Sequence, residues 1–153
     1  MKFLGIDPGL SGGIALVGSI GSNPRAQAWK MPETERDVSD LFLSLKSQVS
    51  KAYIERVHSM PGQGVSSSFK FGVSYGFLRG MLIAHGIPFE EVTPQKWQKL
   101  LGCLTKGDKN ISKAKAQQIF PNIKVTHKIA DALLIGEYAR LITNDDNDPW
   151  EEL

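Results

Sequence analysis

Residues 5–17 read GIDPGLSGGIALV, an apolar run that ends on Asp7, turns through Pro8, Gly9, Gly12 and Gly13, and returns as a second apolar run. Two short apolar runs joined by a Pro/Gly turn predict a β-hairpin. A carboxylate at the end of an apolar strand is costly unless water, a hydrogen-bond donor or a metal meets it. Asp7 is therefore the first candidate site residue. AQAWKM follows a second turn rich in Gly, Ser, Asn and Pro, and it completes an antiparallel meander of three strands.

Further along, DVSDLFLSLKSQV places Val38, Leu41, Phe42, Leu45 and Val49 at helical spacing behind a cap at Asp37 or Ser39. AYIERV is a short apolar strand that ends at Glu55, and the helix before it supplies the crossover needed for pairing parallel to the first strand. That pairing brings Glu55 near Asp7. VSSSFKFGVSYGFLRGMLIAHG has Phe69, Val73, Phe77 and Met81 at four-residue steps, and Gly72, Gly76 and Gly80 recur at the same step. Each glycine costs about 1 kcal/mol against alanine inside a helix, so the stripe implies either a backbone packed closely against it or a break in the helix. That backbone is the sheet, or a second copy of the helix across a dimer interface. IPFEEVTP is a fifth strand, Thr93 and Pro94 cap and start the helix QKWQKLL, and the helices ISKAKAQQIF and HKIADALLIGEYARLI follow. This order predicts an α/β fold: a five-stranded mixed sheet, three-strand antiparallel meander plus two parallel strands, flanked by helices.

A chain of 153 residues suits one domain, assigned to residues 1–143, with residues 144–153 (NDDNDPWEEL) as an acidic, solvated tail prone to disorder. No apolar run approaches the roughly 20 residues that span a bilayer, and the N-terminus lacks the apolar stretch and cleavage site of a signal peptide. A single cysteine, Cys103, makes no intramolecular disulfide and no zinc cluster. The expectation is a cytoplasmic protein, in a bacterial cell or a phage-infected host, with no membrane partner. Its formal net charge of +2 hides an uneven distribution, because residues 94–124 carry seven lysines against one acid. A basic stretch of that kind can face a polyanion.

Asp131 lies in the last helix, and His127 precedes it by four residues, on the same helical face. If Asp7, Glu55 and Asp131 converge, three carboxylates repel one another and call for protonation or a divalent cation. Mg2+ suits hard oxygen ligands, and two such ions can stabilise the attacking and leaving oxygens of a phosphoryl displacement. Acids with a basic flank thus point to phosphodiester cleavage. Singly, each acid is ambiguous: Asp7 could be a turn residue, Glu55 a partner of a surface lysine, Asp131 a helix-surface acid.

Together these segments resemble the RuvC-type Holliday junction resolvases of the ribonuclease H-like fold, in the short form found in phages and some bacteria. The resemblance runs from GIDPGLSGG through YIERV, PGQGVSSSFKFGVSYGFLRG and VTPQKWQK to KGDKNISKAKA and ADALLIGEYAR, and leaves out only the acidic tail. It implies a homodimeric endonuclease that makes paired, metal-dependent nicks across four-way or otherwise branched DNA, with Asp7, Glu55 and Asp131 as metal-binding acids. The family commonly carries another aspartate three or four residues before the last one. Here Lys128 and His127 stand in those places, and neutral imidazole makes His127 the fourth ligand, with a nitrogen that favours Mn2+ over Mg2+. Two ions per site are expected. In this scheme Asp7 bridges them, Glu55 helps position the water, Asp131 and His127 hold the second ion, and Lys109 offsets charge on the phosphate. Lys96, Lys106, Lys113 and Lys115 are expected at flanking phosphates, which give affinity without sequence information. Gln63, Ser67, Phe69 and Lys70 belong to the segment that approaches the junction centre. Phe69 either stacks on an unpaired base or, in step with Val73 and Phe77, belongs to the core.

Three other classes share some of these features. Sugar kinases and actin-like ATPases open on a similar acidic turn, but they need two lobes and a second phosphate loop, so no nucleotide cofactor is expected. A ribonuclease H-like nuclease acting on forks or RNA-containing substrates is the main alternative, and a non-catalytic junction-binding protein is disfavoured by the three acids.

Overall fold

In a computed structural model, which describes residues 1–58 and 61–145, the chain forms five strands and five helices. β1 (Phe3–Asp7), β2 (Gly13–Ile20) and β3 (Asn23–Lys30) make the antiparallel meander. α1 (Glu35–Leu45) crosses to β4 (Lys51–Glu55), and α2 (Val65–Ala84) crosses to β5 (Phe89–Val92). Both added strands are parallel to β1, giving the order β3-β2-β1-β4-β5. α3 (Pro94–Leu101), α4 (Lys109–Ile119) and α5 (His127–Asp145) complete the fold. This is the expected mixed sheet.

Strand alternation divides the core between the two faces of the sheet. Leu4, Ile6, Ile14, Leu16, Ala52 and Ile54 pack under α1 and α2, with Phe42 and Leu82. Phe3, Ala15, Val17 and Tyr53 pack on the other face, under α3, α4 and α5, with Trp97, Leu133 and Leu134. By the same alternation Gly5, Asp7 and Glu55 belong to the α5 face.

Glycine in β1 decides how close α5 comes. A Cβ on Gly5 would collide with the Ala132 carbonyl oxygen and the Gly136 amide nitrogen, and one on Gly13 would meet the Lys128 oxygen at 2.5 Å. The helix that carries Asp131 therefore rests directly on the strand that carries Asp7.

Several local expectations change. The cap of α1 is Thr34, whose Oγ1 accepts from the Asp37 amide at 3.1 Å, so the helix starts before Asp37 and Ser39. β3 begins at Asn23, within the segment read as turn. α2 is continuous, which removes the break, and its glycines do not pack on the sheet: a Cβ on Gly72, Gly76 or Gly80 would meet nothing within 4 Å. Only Leu78 and Leu82 of α2 are fully buried, whereas Phe69 is 72% exposed and Val73 50%. The apolar row at four-residue steps is thus split between core and surface, and Phe69 is not a core residue. Thr93 and Pro94 start α3 as expected, the Thr93 hydroxyl accepting from the Lys96 amide. α5 runs to Asp145, two residues into the segment assigned to the tail, and residues 146–153 of that tail lie outside the described residues. Among the described residues, no helix is long and apolar enough to cross a membrane.

Candidate active site

β1 and β4 run parallel with Ile6 opposite Ile54, so Asp7 and Glu55 end adjacent strands at the same edge. Asp131, in the second turn of α5, comes over them because α5 sits on Gly5 and Gly13. All three acids line one cleft of about 500 Å3, together with the turn from Pro8 to Gly12, Ser67, Lys70, Phe71 and Ser74 of α2, and Lys109 of α4. The turn itself needs glycine at Gly9, whose φ is +99°, a conformation other residues rarely adopt.

Electrostatics tie the acids together. Burial first, then the charges of Glu55 and Asp131, hold the Asp7 carboxyl well above the usual carboxylate range, and Lys109 pulls it back. Burial pushes Glu55 up to about 7, against a hydrogen bond from Trp97, with the Asp131 charge adding to the rise. Asp131 is raised by burial and lowered by a hydrogen bond from Ser112 and by the charges of Lys109 and His127. Three carboxyls that resist ionisation in one cleft are groups whose charged forms need a cation.

Lys109 is the first residue of α4, capped by Asp108, whose Oδ1 accepts from the Asn110 amide at 2.9 Å. That cap turns the lysine into the cleft region instead of leaving it in the loop. His127 opens α5 one turn before Asp131. It is exposed and does not line the cleft, although its charge is felt at Asp131. Among the described residues, no three His, Cys, Asp or Glu side chains stand close enough to hold one ion as they are. The donor chemistry nonetheless fits a hard divalent cation, because the groups that converge are oxygen donors whose mutual repulsion a cation relieves.

Of the residues expected at DNA, Ser67 and Lys70 share the acids' cleft. Gln63 lines an adjoining hollow with Glu55, Arg56, His58 and Phe71, and its Nε2 lies 3.5 Å from Ser67 Oγ. Phe69 lies exposed on the neighbouring turn of α2. Lys96 and Lys106 are exposed, Lys113 and Lys115 half-buried, and none of the four lines the cleft.

Four further residues, two behind the cleft and two in its wall, are not singled out by the sequence. Trp97 is fully buried, and its Nε1–H donates to Glu55 Oε2 at 2.8 Å. Ser112 is buried beside Asp131. Phe71 and Ser74 form the α2 wall. The available signal was a tryptophan in the otherwise polar start of QKWQKLL, since a buried indole N–H needs an acceptor.

No family model and no curated protein sequence matches the chain. Among solved structures, Thermus thermophilus RuvC in complex with a Holliday junction substrate is similar over 90% of this chain and 92% of its own, with a TM-score of 0.66 and 19% identity. A second Thermus thermophilus RuvC structure is similar over 95% of this chain and 97% of its own, with a TM-score of 0.67 and 16% identity. The chain has the ribonuclease H-like fold of RuvC. On the RuvC fold as this chain builds it, the three acids fall at the ends of the two central parallel strands and across the first turns of the last helix.

Proposed function

We propose that the chain is a divalent-metal-dependent endonuclease that resolves four-way DNA junctions by paired nicks. The observation that carries this reading is the convergence of Asp7, Glu55 and Asp131 on one cleft with Lys70 and Lys109 on its walls. The RuvC fold supports it, since a similar structure is a complex with Holliday junction substrate.

Asp7, Glu55 and Asp131, with His127 at the edge, would hold one or two Mg2+ or Mn2+ ions, which when bound supply a lowered water pKa and neutralise charge on the phosphate. Asp7 and Glu55 orient the attacking water between two rigid strand ends. Lys109 meets the scissile phosphate beside Asp7 and Asp131, and Lys70 and Ser67 hold the backbone on the α2 side. Phe69 offers an exposed ring for stacking on an unpaired base, a contact worth about 1–3 kcal/mol. Lys96, Lys106, Lys113 and Lys115 serve flanking phosphates by charge alone.

Paired nicks require two sites, and a homodimer supplies them by two-fold symmetry. The uncovered row of Val65, Gly72, Val73, Gly76 and Gly80 on α2 favours a second copy of the helix as its partner. Sedimentation of the chain, with Val73→Glu as the disrupted form, tests this: a wild type that sediments as a monomer at micromolar concentration removes the dimer.

The decisive experiment digests a synthetic four-way junction with wild type and Asp7→Asn. Asp7→Asn is expected to lose about three orders of magnitude in cleavage, roughly 4 kcal/mol of transition-state stabilisation, and to keep junction binding. Retained cleavage overturns the assignment. Running a Y-fork, a nicked duplex and an RNA–DNA hybrid alongside separates a junction resolvase from a ribonuclease H-like nuclease of broader range.

A further inference from the structure

The register of the sheet places α3 against Glu55. Glu55 is opposite Val92 in the parallel pair β4–β5, and α3 starts two residues after Val92 behind its Thr93 cap. Trp97, in the first turn of that helix, therefore returns to the strand end from which it was launched. Its ring is completely buried, in a core cluster that includes Tyr53, Leu101 and Leu134. An indole has one donor and no acceptor, and Trp97 Nε1–H gives it to Glu55 Oε2 at 2.8 Å. A donor locked in the core and an acceptor at the end of a paired strand leave the Glu55 carboxylate little rotational freedom.

We propose that Trp97 is a positioning residue, whose indole N–H holds Glu55 Oε2 so that the carboxylate offers its Oε1 to a divalent cation in the cleft. The inference rests on the metal-dependent reading of the cleft and adds to it a residue that touches neither cation nor DNA. Partners that orient a ligand are worth about ten- to hundredfold in metal affinity, and the orientation is set before the cation arrives. Phenylalanine at this position keeps an aromatic ring and lacks the donor.

The test titrates the full chain with Mn2+ alone, without DNA, by calorimetry. Trp97→Phe is expected to bind about ten- to hundredfold more weakly than wild type. Leu101→Ala, which opens a cavity in the same helix and leaves the indole in place, is expected to keep wild-type affinity. Equal affinity of Trp97→Phe and wild type overturns the proposal, and so does an equal loss in Leu101→Ala, which would assign the effect to packing. An unchanged affinity in Glu55→Gln is a different failure, because it removes Glu55 from the metal site itself. If Trp97→Phe does not fold, wild-type chain with labelled indole nitrogens carries the test. The Trp97 Nε1–H resonance, assigned through Trp29→Phe and Trp150→Phe, is expected to shift on adding Mg2+, and a resonance that does not move overturns the proposal.

Discussion

Gly5 in β1 and Gly136 in α5 meet with no side chain between them, and this contact seats the helix of Asp131 on the strand of Asp7. Gly5→Ala sets a methyl against the backbone of α5, which cannot yield without lifting the helix. A loss of about 2–3 kcal/mol is expected. In the Val73→Glu background, where the proposed dimer is disrupted, Gly76→Ala should stabilise the chain by about 0.5–1 kcal/mol, because within one chain its Cβ would meet nothing within 4 Å and helix propensity improves. Urea denaturation of both variants checks the contrast.

Stability should depend on pH through the buried acids. Glu55 titrates at about 7 in the folded chain against an ordinary 4.5, so the folded state binds more protons between those values. Its contribution is fully present below about 4.5 and is lost as pH rises through about 7, at most about 3 kcal/mol. Asp7 and Asp131 are raised in the same sense. Thermal melting in chelator should therefore give a falling midpoint from pH 5 to pH 7.5, with a smaller fall in Glu55→Gln. Added Mg2+ should restore most at the upper end, where the carboxylates are ionised.

His127 stands one turn from Asp131 yet outside the lining of the cleft. As a metal ligand it should be replaceable by aspartate with cleavage retained and the preference moved from Mn2+ toward Mg2+. His127→Ala should cut the rate about tenfold or more at limiting metal. Cleavage rates across a metal titration settle this, and an alanine variant equal to wild type removes His127 from the site.

Lys70 lies on the α2 wall of the cleft, and Lys113 lies one turn along α4 from the cleft residue Lys109, so the two are assigned to phosphates at different distances from the cut. Each replacement by alanine should weaken junction binding uniformly across sequences and lower the slope of log affinity against log salt by about 1. Lys70→Ala should also slow cleavage, whereas Lys113→Ala should leave the rate at saturation unchanged. Binding in Ca2+ at several salt concentrations, followed by single-turnover cleavage, separates the two.

The order of elements was legible because apolar periodicity is local. Short apolar runs in FLGID and AYIE, three- and four-residue spacing in LFLSL, and the Thr93–Pro94 start of α3 each report on a few neighbouring residues. The placing of Asp7 and Glu55 at strand ends follows from the same signals plus the crossover rule, whereas Lys109 rests on the resemblance, since the local pattern leaves it in the loop before ISKAKAQQIF. Thr34 was missed because Asp37 and Ser39 offer equally good cap chemistry within a turn, and only the backbone path of the entering loop chooses among them.

The amino-acid sequence by itself determined which residues are strand, which are helix, and which acids stand at their ends. Tertiary structure alone decided what covers each face. Gly72, Gly76 and Gly80 carry the same local pattern as glycines packed on a sheet, yet they are open, while Gly5 and Gly136, far apart in the chain, form the close contact. The bond from Trp97 to Glu55 and the hydrogen bond of Ser112 to Asp131 join residues whose separation no short window spans. Periodicity encodes that a side chain is to be buried, but its partner is set by how strands and helices far apart in the chain come together.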